Sequence, residues 1–176
     1  RLLASSPAVI YSFEATGDFG PTFVSQNIKD LLGYEPNDYL ESPDFWRRCV
    51  HPDDLPGVEA QFGHLFKRGR HTLEYRFLKK DGNYCWVSDE LRLVYDKSGQ
   101  PAEVVGSWSD VTARKSAEEA LESTRNRLEH LVARSPAVIY SFKATGDYAP
   151  TFISKNVKDL LGYETQDYLA SPDFWQ

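Results

Sequence analysis

The chain has 176 residues, of which 41% are hydrophobic, 26% charged and 14% aromatic, a composition that builds a core and excludes intrinsic disorder. A formal net charge of -6 and a pI near 5.2 give nucleic acid or an anionic lipid surface no electrostatic reason to bind. No apolar run approaches the roughly 18 residues that span a bilayer, so direct membrane insertion is not expected, and the length suits one complete domain plus extra segments.

In chain order, residues 1–6 read as the end of a preceding linker helix, and residues 7–112 as one domain. "AVIYSFEA" at Ala8 to Ala15 is rich in β-branched and aromatic residues and runs into the turn signal "TGD". "PTFVSQ" is a second extended run, so the two form a hairpin. "SQNIKDLLGY" places Ile28, Leu31 and Leu32 at i, i+3, i+4, with Ser25 as N-cap and Gly33 as stop, which predicts a short amphipathic helix. The following stretch to Gly57, dense in Pro, Asp and Asn, suits one-turn helices, and its "HPDD" offers Asp53 or Asp54 as a cap. Val58, Phe62, Leu65 and Phe66 share one stripe of a helix over residues 55–67 that ends in cations.

The period then changes from helical to two. Leu73, Tyr75 and Phe77 alternate with polar residues, "KDGN" and "DKSGQ" read as hairpin turns, and three long antiparallel strands result. The order predicts an α+β fold: a five-stranded antiparallel sheet with helices on one face, followed by a linker helix. Residues 113–134 have helix-forming composition. Ala117, Thr124 and Leu131 stand seven apart, as do Leu121 and Leu128, the stripe of a short coiled coil that dimerises.

Residues 135–176 open a second, incomplete copy of the domain. "SPAVIYSF" at Ser6 to Phe13 returns unchanged at Ser135 to Phe142, and Ser6 to Trp46 matches Ser135 to Trp175 without a gap at 32 of 41 positions. The offset of 129 residues far exceeds the period of about 20 to 50 that marks solenoids and equals a domain with its linker. Such identity also makes residues 137–175 interchangeable with residues 8–46 of a neighbouring chain, a domain swap.

"NIKDLLGYE", "HPDD" and "YRFLKKDGNYCWVSDELRLVYDKSGQPAEVVGSWSDVTARK", in this order and spacing, resemble a PAS domain of the PAS/PAC sensory-box type, restarting at Ala137 as a tandem array does. The resemblance implies a non-catalytic sensory or dimerisation module in a multidomain bacterial-type signalling protein. Its output domain, a histidine kinase or diguanylate cyclase, would lie outside these residues. It also implies a signal exit at Asp110 and Thr112, where the last strand meets the helix. A structural spacer with a filled core is the alternative.

The chemistry-bearing residues are few. Between sheet and helices, Tyr11, Phe13, Phe23, Leu32, Phe62, Phe66, Tyr75, Phe77, Trp86 and Trp108 supply the walls of a ligand pocket or, as their bulk favours, simply fill the core. His64 is the one candidate for a haem axial ligand, although a lone helical His is more often a surface residue. Cys49 falls outside the Asn-Cys-Arg-Phe-like setting of a flavin photoreceptor, so neither haem nor flavin is expected. No His, Cys or acidic set has metal-ligand spacing, and no phosphate loop, nucleophile elbow or kinase signature occurs. Cys49 and Cys85, without a CxxC, read as reduced thiols of a cytoplasmic protein, which is compatible with a membrane tether elsewhere in the full-length chain.

Overall fold

The computed structural model describes residues 8–133, 135–146 and 148–170. The helix end expected at residues 1–6, and residues 171–176 of the second repeat, lie outside them. The chain divides into two units, one up to Ser116 and one from Ala117.

The first unit opens with the hairpin β1 (Val9–Glu14) and β2 (Pro21–Val24). Four helices follow: α1 (Ile28–Leu32), α2 (Pro36–Leu40), α3 (Phe45–Cys49) and α4 (Leu55–Arg68). The long strands β3 (Arg70–Leu78), β4 (Tyr84–Tyr95) and β5 (Pro101–Asp110) complete a five-stranded antiparallel sheet of order β2-β1-β5-β4-β3. Alternation decides which side chains meet the helices. Cys85, Val87, Asp89, Leu91 and Leu93 of β4 point inward, as do Leu73, Tyr75 and Phe77 of β3 and Val104, Gly106 and Trp108 of β5. Ile28, Leu31 and Leu32 of α1 and Val58 and Leu65 of α4 close the same core.

One capping assignment needs correction. Asn27, not Ser25, occupies the N-cap of α1. Ser25 instead accepts the Ile10 amide at 2.8 Å and donates to Asn27 Oδ1, tying the helix entry to β1. Asp54 does hold the N-cap of α4, yet its carboxylate makes no capping bond. Its oxygens accept from the Arg76 amide at 2.9 Å and from the guanidinium at 2.6 and 3.0 Å, because a charged bidentate partner outcompetes a single helix amide. Gly33 ends α1 as expected, in the left-handed region at φ 81.

After β5, α5 (Thr112–Ala133) carries Ala117, Leu121, Thr124, Leu128 and Leu131, all exposed. The second unit then repeats the opening of the first, with β6 (Tyr140–Phe142), β7 (Pro150–Ile153), α6 (Val157–Leu161) and α7 (Thr165–Ala170). Its hairpin keeps the register and the bulge, Tyr140 opposite Ile153 as Tyr11 is opposite Val24. Burial differs sharply: Tyr140 is 51% exposed and Tyr11 3%, and Leu161 is 49% exposed against 1% for Leu32.

One close approach fixes the centre of the first unit. Tyr11 lies opposite Gly106 in register and lays its ring over that glycine, stacked on Trp108 with centroids 4.0 Å apart. A Cβ at residue 106 would stand 2.2 Å from Tyr11 Cζ. Gly106→Ala therefore forces the ring aside and is expected to cost about 2 to 3 kcal/mol in chemical denaturation; unchanged stability would contradict this placement.

Candidate functional site

Between the sheet and the helices lies a cleft of about 520 Å³, within the size range of small-molecule sites. Tyr11, Phe13 and Trp108 form its floor on the sheet side. Tyr39, Phe45 and Trp46 come from α2 and α3, Phe62 and Phe66 from α4, and Phe19 from the hairpin turn. Asp18, Asp44, Arg47 and Glu59 also line it, all four exposed at the mouth.

Of the ten side chains expected to wall a pocket, Tyr11, Phe13, Phe62, Phe66 and Trp108 line this cleft. Leu32, Tyr75 and Phe77 are fully buried in the packed core beside it. Phe23 and Trp86 are out of phase with the inward residues of their strands; Phe23 is 51% exposed, and Trp86 lies under Lys115 and Arg76, whose charges are 5.1 and 5.8 Å from its ring. His64 is exposed outside the lining, edge to face with His71. Both cysteines are buried and free, and burial raises each thiol pKa, that of Cys85 to about 11, so neither is poised as a thiolate. Among the described residues no three His, Cys or acidic side chains come together to hold a metal ion.

Beneath the floor sits a carboxylate that sequence reasoning passed over. Asp89, 1% exposed, occupies an inward position of β4, between β5 and the edge strand β3. Tyr11 Oη donates to its two oxygens at 2.7 and 2.9 Å, and Tyr75 Oη donates to Oδ2 at 2.7 Å. Tyr75 Oη in turn accepts from Trp46 Nε1 at 2.9 Å and Trp108 Nε1 at 3.1 Å. Burial pushes the Asp89 carboxyl up to about 6, although hydrogen bonds from Tyr75, Tyr11 and Trp108 pull the other way. The Tyr11 and Tyr75 hydroxyls are held well above their ordinary range by burial and by the neighbouring carboxylate, and remain donors. Three members of this network, Tyr11, Trp46 and Trp108, are also walls of the cleft.

The exit of β5 is fastened at several points. Asp110 Oδ1 accepts the Thr112 amide at 2.8 Å, while Thr112 Oγ1 accepts the Trp86 amide at 3.0 Å. The Val111 amide donates to the Trp86 carbonyl at 2.9 Å. Arg114 and Lys115, in the first turn of α5, both reach Glu74 of β3, at 2.6 and 2.8 Å. Lys115 and Arg114 together hold the Glu74 carboxyl below its usual value. Each exposed ion pair is worth well under about 1 kcal/mol, but the backbone and Thr112 bonds give the helix a fixed start on β4.

Residues 21–107 match the family described as PAS fold. Over 98% of its length the chain is 33% identical to the two-component sensor PprA of Pseudomonas aeruginosa, and over 76% it is 30% identical to a methyl sulfide methyltransferase-associated sensor of Methanosarcina acetivorans. It spans 19% and 13% of those proteins. Among solved structures, a sensory box histidine kinase/response regulator from Burkholderia thailandensis superposes with a TM-score of 0.58 at 31% identity, covering 72% of this chain and 92% of that one. The N-terminal domain of a diguanylate cyclase with PAS/PAC sensor from Marinobacter aquaeolei shares the fold, with a TM-score of 0.56 at 24% identity, over 62% of this chain and 99% of its own. Among the described residues no helix is long and apolar enough to cross a membrane.

The Asp89 carboxyl sets a pH dependence of defined sign. Its folded value, about 6, lies above the ordinary 3.8, so the fold favours the protonated form. That contribution is complete below about pH 4 and is lost as pH rises through 6. The stability of the native chain relative to an Asp89→Asn variant is expected to fall by up to about 3 kcal/mol between pH 4 and 7. Denaturant titrations at both pH values check this, and parallel pH profiles would refute the assignment.

Proposed function

Because this chain belongs to the PAS fold family, we propose that residues 7–112 are a sensory and dimerisation module, itself non-catalytic, of a multidomain bacterial-type signalling protein. A change in the cleft passes through the sheet to the helix that leaves it, toward an output domain elsewhere in the full-length protein. The observation that carries this reading is shared membership: Tyr11, Trp46 and Trp108 wall the cleft and also belong to the hydrogen-bond network of Asp89 on β4. Three residues before Asp89, the backbone of Trp86 holds Val111 and Thr112. An occupant that moves the floor therefore loads the strand to which the exit is tied. Such coupling needs a stiff connection, and no Gly or Pro separates Trp108 from the helix.

A structural spacer is the rival reading, favoured by the 32 identical positions between the two copies, since separate sensors need separate pockets. The open cleft of about 520 Å³ counts against it, because a filled core has no use for that space. Tyr11→Phe removes the floor hydroxyl from Asp89 and keeps the ring. Amide exchange over residues 110–116 is expected to quicken roughly tenfold, about 1.4 kcal/mol of lost protection, whereas Phe23→Ala on the opposite face leaves it alone. Equal exchange in native and Tyr11→Phe protein would support the spacer.

Dimerisation rests on the stripe of α5, where Leu121, Leu128 and Leu131 are 72, 57 and 61% exposed. Leucines at that spacing find cover in a second copy of the same helix. Leu121→Asp with Leu128→Asp is expected to shift the chain toward monomer in sedimentation, and an unchanged mass would refute this interface. A chain ending at residue 134 in the same series separates the alternative, an exchange of residues 137–175 between copies, which predicts loss of the dimer and a lower melting temperature.

A further inference from the structure

From the chemistry of its walls and mouth, we infer that the cleft receives a small organic cation, an alkylammonium carried on a short apolar frame. This rests on the reading of the cleft as a ligand site and adds the class of ligand. The first argument is the walls. Nine aromatic residues line the space, Phe13, Phe19, Trp46, Phe62 and Phe66 with accessible ring surface and Tyr11, Tyr39, Phe45 and Trp108 nearly buried, and the faces of such rings are the negative ends of a quadrupole that hosts quaternary and protonated amines. Tyr11 stacks on Trp108 at the floor, while the rings of the helical layer stand edge to face around the space: Trp46 meets Phe62 at 5.4 Å, and Tyr39 meets Phe45 at 5.7 Å.

The second argument is charge. At the mouth, Asp18, Asp44 and Glu59 stand against the single guanidinium of Arg47, which is 2.5 Å from Glu59 and so already matched. Below the floor, Asp89 draws the Tyr11 hydroxyl toward itself at 2.7 Å, and a phenol donating to a carboxylate places more electron density on its ring. An anionic ligand would meet repulsion from both sides. It would also find no donors on the floor, because the Tyr11 hydroxyl and the indole N–H groups of Trp46 and Trp108 are committed to the Asp89 network. A cation asks for none.

The third argument is backbone strain at the rim. Phe19 sits at φ 56, a left-handed conformation that a bulky residue occupies only under strain. In that conformation its ring bridges Phe13 of β1, at 6.5 Å, and Phe66 of α4, at 6.4 Å, and extends the cage over the mouth. The equivalent residue of the second unit, Tyr148, is again aromatic and again strained, at φ 49, although its next neighbour changes from Gly20 to Ala149.

The test is calorimetry of the full chain with choline and with 3,3-dimethylbutan-1-ol, its neutral analogue of the same shape. Choline is expected to bind at least about tenfold more tightly, with that preference reduced at least about threefold in Phe62→Leu, which keeps an apolar wall without a π face. Asp44→Asn, at an exposed position, is expected to weaken choline and leave the alcohol unchanged. Equal or tighter binding of the alcohol overturns the cation inference while the ligand cleft stands. Failure of both to bind at millimolar concentration overturns the cleft as a ligand site as well.

Discussion

A carboxylate buried on the inner face of a sheet, with no cation beside it among the described residues, is the constraint that organises this domain. Stripped of water, Asp89 would cost several kcal/mol unless donors replaced the lost hydration. They come from three other strands: Tyr11 on β1, Tyr75 on β3 and Trp108 on β5. That requirement explains neighbouring features that otherwise look unrelated. Residue 106 is glycine because Tyr11 must cross it to reach the carboxylate. Trp46 is drawn from α3 to the Tyr75 hydroxyl, and so the helical layer is pinned to the sheet by a polar contact inside an apolar core.

The same arrangement gives the cleft its character. A core of this size could have been closed by its aromatics, yet their hydroxyl and indole groups are oriented by Asp89, and the rings stand around a space of about 520 Å³. The second unit throws this into relief. In the described residues its β6 pairs with β7 alone, and Tyr140, the counterpart of Tyr11, is half exposed. The octapeptide that starts both units makes a strand and a hairpin by itself. It makes a site only when a β5 and a β4 lie alongside.

Much of this was legible in the residues. The switch from helical spacing to alternation after Gly69 predicted β3 to β5, and the observed strands fall on the predicted runs. Turn signals at "KDGN" and "DKSGQ" placed the hairpins. Asp89 was in plain view on the inward parity of "CWVSDELRLV", but a carboxylate there reads as an interruption, because its partners Tyr75 and Tyr11 are 14 and 78 residues away. Tyr39, Phe45 and Trp46 escaped for another reason. They stand on one-turn helices in a stretch dense in Pro and Asp, too short to show a period. Phe23 and Trp86 were assigned to the pocket on size alone, and strand alternation sends both to the other face. Asp54 stands at the expected N-cap but gives its carboxylate to Arg76, and the Ser25 cap failed because its hydroxyl is drawn to β1.

The central claim is that one buried carboxyl joins cleft and sheet. Carbon-13 NMR of the Asp89 side-chain carboxyl across a pH titration addresses it directly, with the indole N–H signals of Trp46 and Trp108 followed in the same samples. The account predicts a midpoint near 6, with both indole signals moving on the same curve. A midpoint in the ordinary range around 3.8, with the indole signals unmoved, would contradict it.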